Sequence, residues 1–180
     1  MTAPIIRVNN LRVAFPSRGL MAEAVRGVDF IVENGEALGV LGESGSGKSV
    51  SALAILGLIQ HPGRVTAGTI YFEDTNLLAL SEREMRALRG RNISMVFQDP
   101  LSAFNPVYKI GKQILDVIYT HTSYSKVRAR IRALEVLDLV GLPDPNRIMN
   151  SYPHELSGGM RQRALIGMAL ACEPKLLIAD

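Results

Sequence analysis

The sequence is poor in the features that mark several protein classes. It holds a single cysteine, Cys172, among 180 residues. No internal disulfide can form, and no cysteine pair is available to a metal; a reducing cytosol fits such a chain. Long hydrophobic runs are missing too. The longest apolar stretches, such as ALAILGLI at 52–59, fall well short of the ~18 residues that a membrane span needs. The opening MTAPIIRVNN has no basic start followed by a long apolar core, so any membrane role is expected to come through a partner. There is no internal repeat or low-complexity segment, and the charge balance is mild, with a formal net charge of +3 and a pI near 9.2. Arginines cluster at Arg128, Arg130 and Arg132, alternating with apolar residues and not with aromatic stacking platforms. That pattern reads as a solvated helix face, and no nucleic-acid partner is expected.

What is present is core material. Hydrophobic residues make up 47% of the chain, enough for one domain of this length. Strand-like segments occupy 5–15 and 24–32, with PSRG as the turn between them, then ALGVL at 37–41, GTIYFE at 68–73, ISMVF at 93–97 and LLIA at 176–179. The runs at 37–41 and 176–179 are continuously apolar, as in strands buried on both faces of a parallel sheet. A helix is expected over 48–59. A second starts with a Ser81–Glu84 capping box and stops at Gly90. Helices at 107–120 and 126–140 follow, the latter with Val127, Ile131, Leu134 and Leu137 as its apolar stripe. PDPNRIMNSYPHEL at 143–156 reads as a loop, and Ser157 as the N-cap of a helix that leads to the final strand. The class is α/β.

The segment GESGSGKS, Gly42 to Ser49, has two glycines five positions apart followed by lysine and a hydroxyl residue. Gly42, Gly45 and Gly47 permit backbone conformations that turn successive amides toward one anion, and the helix that follows adds its positive end. Lys48 reaches the outer phosphates of a nucleotide as a mobile charge, and the Ser49 hydroxyl is placed for magnesium. A strand before and a helix after are the context this motif requires. It also bears on Asp180, which ends the run LLIAD. An acid beyond the carboxyl end of a parallel strand faces a ligand more readily than the core, although a strand-ending turn aspartate has the same appearance. A phosphate-loop protein needs such a carboxylate to order its magnesium. LSGGMRQR at 156–163 places a serine and two glycines at a second helix start, another set of free amides suited to an anion.

Taken together, these segments resemble the nucleotide-binding subunit of an ABC transporter. GESGSGKS resembles that family's Walker A loop, Gln98 of FQDP its Q-loop, LSGGM its signature and LLIAD its Walker B strand, in family order and over essentially the whole chain. FQDPLSAFNPVYKIGKQI and YPHELSGGMRQRALIGMALACEPKLLIAD look most like the dipeptide, oligopeptide and nickel importer branch, and Met160 after the signature glycines supports that grouping.

The resemblance implies a P-loop NTPase fold: an N-terminal antiparallel β subdomain, a mostly parallel core sheet lacking its last strands, and a helical insert. The β subdomain and P-loop core would occupy 1–98, the helical insert 99–156, and the signature helix with the Walker B strand 157–180. It implies ATP and Mg2+ as cofactors. Gly42, Glu43, Ser44, Gly45, Ser46, Gly47, Lys48 and Ser49 would bind the nucleotide. Phe15 would stack on adenine, with a core phenylalanine as the alternative. Ser49, Gln98 and Asp180 would serve the metal, and Lys48, Gln98 and Asp180 the catalysis. Ser157, Gly158 and Gly159 would contact the ATP held by a second ATP-binding subunit, identical or paralogous. Further implied partners are membrane permease subunits, gripped by the insert, and indirectly an extracytoplasmic solute-binding protein. The implied location is peripheral, at the cytoplasmic face of the cell membrane.

The family pattern continues past the Walker B aspartate with a catalytic glutamate and a switch histidine. The sequence ends at Asp180, and His61, His121 and His154 all precede it. They read as loop or surface residues. The 180 residues are therefore expected to bind ATP poorly or moderately and hydrolyse it hardly at all. Two other readings fit the nucleotide motifs: a soluble ABC-type ATPase acting on nucleic acid or ribosomes, and a non-hydrolysing remnant.

Overall fold

The computed structural model describes residues 4–17, 20–98 and 103–180, and the chain divides into two compact units, 1–86 and 87–180. The first is built on an antiparallel sheet in the order β2-β1-β3-β4, from β1 (Ile6–Ser17), β2 (Leu20–Val32), β3 (Arg64–Phe72) and β4 (Thr75–Asn76). In β1 the buried residues change parity, from Ile6 and Val8 to Leu11 and Val13. A straight strand would turn the second pair to the other face. A bulge at Asn9 and Asn10 corrects this: the pairing to β2 and to β3 shifts there, and Asn10 takes φ 44°. Opposite it, Gly68 (φ +99°) leaves room for the bulge, since a Cβ there would stand 2.5 Å from the Asn10 carbonyl oxygen. Helix α1 (Lys48–Ile55) packs on β1 and β2 with Ala54 and Ile55 buried.

The expected strand at 37–41 does not form. These residues join no sheet, and Leu38, Val40 and Leu41 are 43%, 58% and 97% exposed. An apolar run becomes a strand only where neighbours supply a ladder and cover, and no described strand pairs with this one. Helix α1 is also shorter than expected, turning at Leu56 and Gly57. Helix α2 (Glu82–Leu88) lies at the division between the units, and its capping box is present: the Glu84 carboxylate accepts from the Ser81 amide at 2.8 Å and hydroxyl at 2.6 Å.

Among its described residues the second unit carries a parallel pair, β5 (Ile93–Val96) and β6 (Leu176–Ala179), and the helices α3 (Ile110–His121), α4 (Lys126–Leu139), α5 (Pro145–Asn150) and α6 (Gly158–Leu170). Their core joins Ile110, Ile114 and Ile118 of α3 to Ala133, Val136 and Leu137 of α4, Ile148 of α5 and Leu165 of α6. Three expectations change here. The segment 143–156 is not all loop: Asp144 caps α5 by accepting from the Arg147 amide at 3.0 Å, with Pro145 in the first turn. A 3-10 turn, Pro153–Glu155, follows. The buried face of α4 is Ala129, Ala133, Val136 and Leu137, while Val127 and Ile131 are 72% and 45% exposed. Finally, β6 is half-exposed, because β5 flanks it on one edge and no further described strand does on the other.

The arginine cluster is mostly spent inside this unit. Arg128 pairs with Glu135 at 3.0 Å and lies over the Tyr124 ring. Arg132 is only 12% exposed. Its Nε donates to the Ala171 carbonyl and its Nη2 to the Leu170 carbonyl, both at 3.0 Å, so it closes the C-terminus of α6 from α4. Of the histidines, His61 and His154 are exposed, but His121 is not a loop residue. It ends α3 against Gly90, and burial, with the Arg91 charge nearby, holds its imidazole below the usual value.

Candidate nucleotide site

The loop between residue 42 and α1 takes its shape from glycine. Gly45 has φ +82° and Gly47 φ +95°, a region that other residues rarely adopt. A Cβ on Gly47 would also stand 2.6 Å from the Ala24 carbonyl oxygen, so the loop is seated against β2. With Gly47 as the helix boundary, no side chain caps α1, and the positive end of the helix dipole favours an anion there. Ser51 closes the first turn, its hydroxyl donating to the Gly47 carbonyl at 3.0 Å. Lys48 folds back over the loop. Its Nζ donates to the carbonyls of Gly42 at 2.6 Å and Glu43 at 2.9 Å, and to the Ser46 hydroxyl at 3.4 Å. Those partners are backbone dipoles and a hydroxyl, with no carboxylate among them, so the ammonium keeps its full charge for an anion. Glu43, Ser44, Ser46 and Ser49 are all exposed.

A cavity of about 420 Å³ opens beside this loop, between Gly45 and Ser46 on one side and Glu23, Ala24, Val25, Arg26 and Val28 of β2 on the other. The motif identifies the loop wall; the β2 wall has no signature in the sequence. Phe15 sits near the end of β1 opposite Ala22. Its ring packs against Gly63, where no Cβ would fit, and it is half-buried, a position that leaves part of the ring to a ligand.

The other expected residues belong to the second unit. Gln98 follows β5 and Asp180 follows β6, where its amide continues the ladder by donating to the Val96 carbonyl at 3.1 Å. Both are exposed and share a cavity of about 280 Å³ whose walls include Phe97, Leu177, Gln162 and Ile166. The parallel pair thus brings the amide and the carboxylate to one sheet end, as the strand pattern implied. Ser157 caps α6, its Oγ accepting from the Met160 amide at 3.4 Å. Gly158 and Gly159 are exposed, and a Cβ on either would meet nothing within 4 Å. Nothing among the described residues demands glycine at these two positions. Among the described residues no cluster of three or more His, Cys, Asp or Glu could hold a metal.

Comparison with known proteins gives a consistent result. A family model described as "ABC transporter" matches residues 25–180. The chain is 50% identical over 176 residues to the dipeptide transport ATP-binding protein DppD of Haemophilus influenzae, covering 98% of this chain and 53% of that protein. It is 50% identical over 177 residues to the oligopeptide transport ATP-binding protein OppD of Bacillus subtilis, covering 98% and 49%. The chain therefore spans about half the length of the curated relatives it matches. Among solved structures it superposes on the dimeric ATP-binding cassette MJ0796 bound to ADP and Pi with a TM-score of 0.86 at 28% identity, over 97% of this chain and 73% of that one. The cbiO1 component of a Clostridium perfringens ABC transporter complex shares the fold, with a TM-score of 0.78 at 23% identity over 99% and 65%.

Proposed function

Because the chain belongs to the ABC transporter family, we propose that it is the ATP-binding part of an energy-coupling subunit that powers peptide import from the cytoplasmic face of the cell membrane. The observation that carries this reading is 50% identity, over 98% of the chain, to proteins named for dipeptide and oligopeptide transport. The glycine-shaped loop with its capless helix start gives it a physical basis.

The residues present fit a magnesium nucleotide. Magnesium takes few protein ligands, prefers oxygen and completes its shell with phosphate and water. In the first unit the Ser49 hydroxyl, and in the second the Gln98 amide oxygen and the Asp180 carboxylate, are each donors of that kind. When bound, MgATP supplies the phosphoanhydride whose cleavage releases the free energy for transport. The chain's own residues bind and orient. The loop amides of Gly45 and Gly47 and the α1 N-terminus would hold the phosphates, Lys48 would neutralise the outer ones, and Phe15 would cover the adenine. Gln98 would contact the attacking water and relay the nucleotide state to the helical insert. Ser157, Gly158 and Gly159 reach the nucleotide of a second ATP-binding subunit across a head-to-tail dimer, and their open surroundings leave room for that approach. Permease subunits would dock on the helical unit, and the solute-binding protein would act through them.

Import is testable in cells. In a strain whose own copy is deleted, the full-length protein should restore uptake of a labelled dipeptide, and the Lys48→Ala form should leave it at background. Restoration by the Lys48→Ala form to the wild-type rate would contradict the proposal.

A further inference from the structure

The wall of the cavity opposite the phosphate loop contains a charge placement that folding alone does not explain. In the register of β1 and β2, Arg12 lies directly opposite Arg26, and like charges facing each other across an antiparallel pair are destabilising. Arg12 is neutralised by Glu23, Nη1 to Oε1 at 3.3 Å, and Gly27 makes space for its guanidinium, since a Cβ there would stand 3.2 Å from Arg12 Nη2. Arg26 has no such relief: among the described residues no hydrogen bond or ion pair engages its guanidinium. It is exposed and lines the same cavity of about 420 Å³ as Gly45 and Ser46. A local rule broken without compensation inside the fold is the signature of a group kept for a ligand. The only acid among the lining residues, Glu23, is already paired, so the Arg26 guanidinium is the uncompensated charge on the cavity wall.

We propose that Arg26 is a second cationic contact for the nucleotide, holding an anionic oxygen of the triphosphate from the β2 side while the loop and Lys48 hold it from the other. The inference rests on the reading of 42–49 as a phosphate loop. Arginine suits the role, because a planar guanidinium presents several donors to phosphate oxygens and stays charged at any physiological pH. Arg26 then acts on affinity for the triphosphate and not on the recognition of the base.

The test is calorimetric binding of ATP and of inorganic tripolyphosphate to the chain and to its Arg26→Gln, Arg26→Lys and Lys48→Ala forms, with circular dichroism as the check that each is folded. Arg26→Gln should weaken both ligands about three- to tenfold, between the effect of a screened surface pair and that of a charge-assisted phosphate contact. Arg26→Lys should recover part of the loss. Wild-type affinity in Arg26→Gln alongside weak binding in Lys48→Ala would overturn the assignment and leave the phosphate loop standing. Weakened ATP with unchanged tripolyphosphate would overturn it too, by moving the contact to the nucleoside. Wild-type binding in Lys48→Ala would remove the loop reading itself, and Arg26 with it.

Discussion

ATP binding should fall at least tenfold when Lys48 is replaced by alanine, and isothermal calorimetry on the purified chain measures it. The size follows from what the side chain does. A charge-assisted contact to phosphate is worth at least about 1.4 kcal/mol, a factor of ten in affinity. The same ammonium also ties the loop together by donating to the Gly42 and Glu43 carbonyls at 2.6 and 2.9 Å. Its removal therefore takes away the contact and loosens the cradle. Lys48→Arg separates the two effects, since it keeps the charge but cannot place a compact ammonium between two carbonyls. It should bind ATP more weakly than wild type and more strongly than Lys48→Ala. Unchanged affinity in Lys48→Ala would mean that the nucleotide does not sit in this loop.

The second large effect is expected at Arg132. Its guanidinium satisfies the Leu170 and Ala171 carbonyls at the end of α6, and Ala171 is buried, with 1% exposure. Arg132→Ala would leave these acceptors without their donor, at a cost of about 2–3 kcal/mol. The ion pairs to Glu135 and Glu173, at 3.6 and 3.4 Å, add little, because those carboxylates are 43% and 65% exposed. Arg132→Lys should recover only a minor part, since one ammonium cannot reproduce the fork that reaches two carbonyls. Urea unfolding and amide exchange along α6 read the change. An unfolding midpoint equal to wild type would show that solvent replaces the guanidinium at no cost.

The site motifs were legible because each is a local chemical device. The loop needs glycines at fixed offsets, and the helix starts at Ser81 and Ser157 announce themselves by side chains that accept from the amide three residues on. Properties set by distant partners were not legible. The apolar run at 37–41 predicted a strand, yet no described strand pairs with it. On α4 the larger apolar side chains Val127 and Ile131 drew the stripe, whereas the fold buries Ala129 and Ala133. The reason is the close approach of α6: a Cβ on Gly167 would stand 3.2 Å from the Val136 carbonyl oxygen, and helices that approach so closely bury small residues. At Asp144 and Pro145 the cap and first-turn signals are present in a segment that reads as a loop. The β2 wall of the cavity, Arg26 included, depends on strand register, which no local pattern around residue 26 reveals.

The most direct test of the central claim is amide chemical-shift mapping of the isotope-labelled chain titrated with a non-hydrolysable MgATP analogue. The account predicts that the largest shifts fall on the amides of Gly45, Ser46, Gly47, Lys48 and Ser49 and saturate with a single affinity. Saturable binding that leaves those five amides unmoved would contradict it.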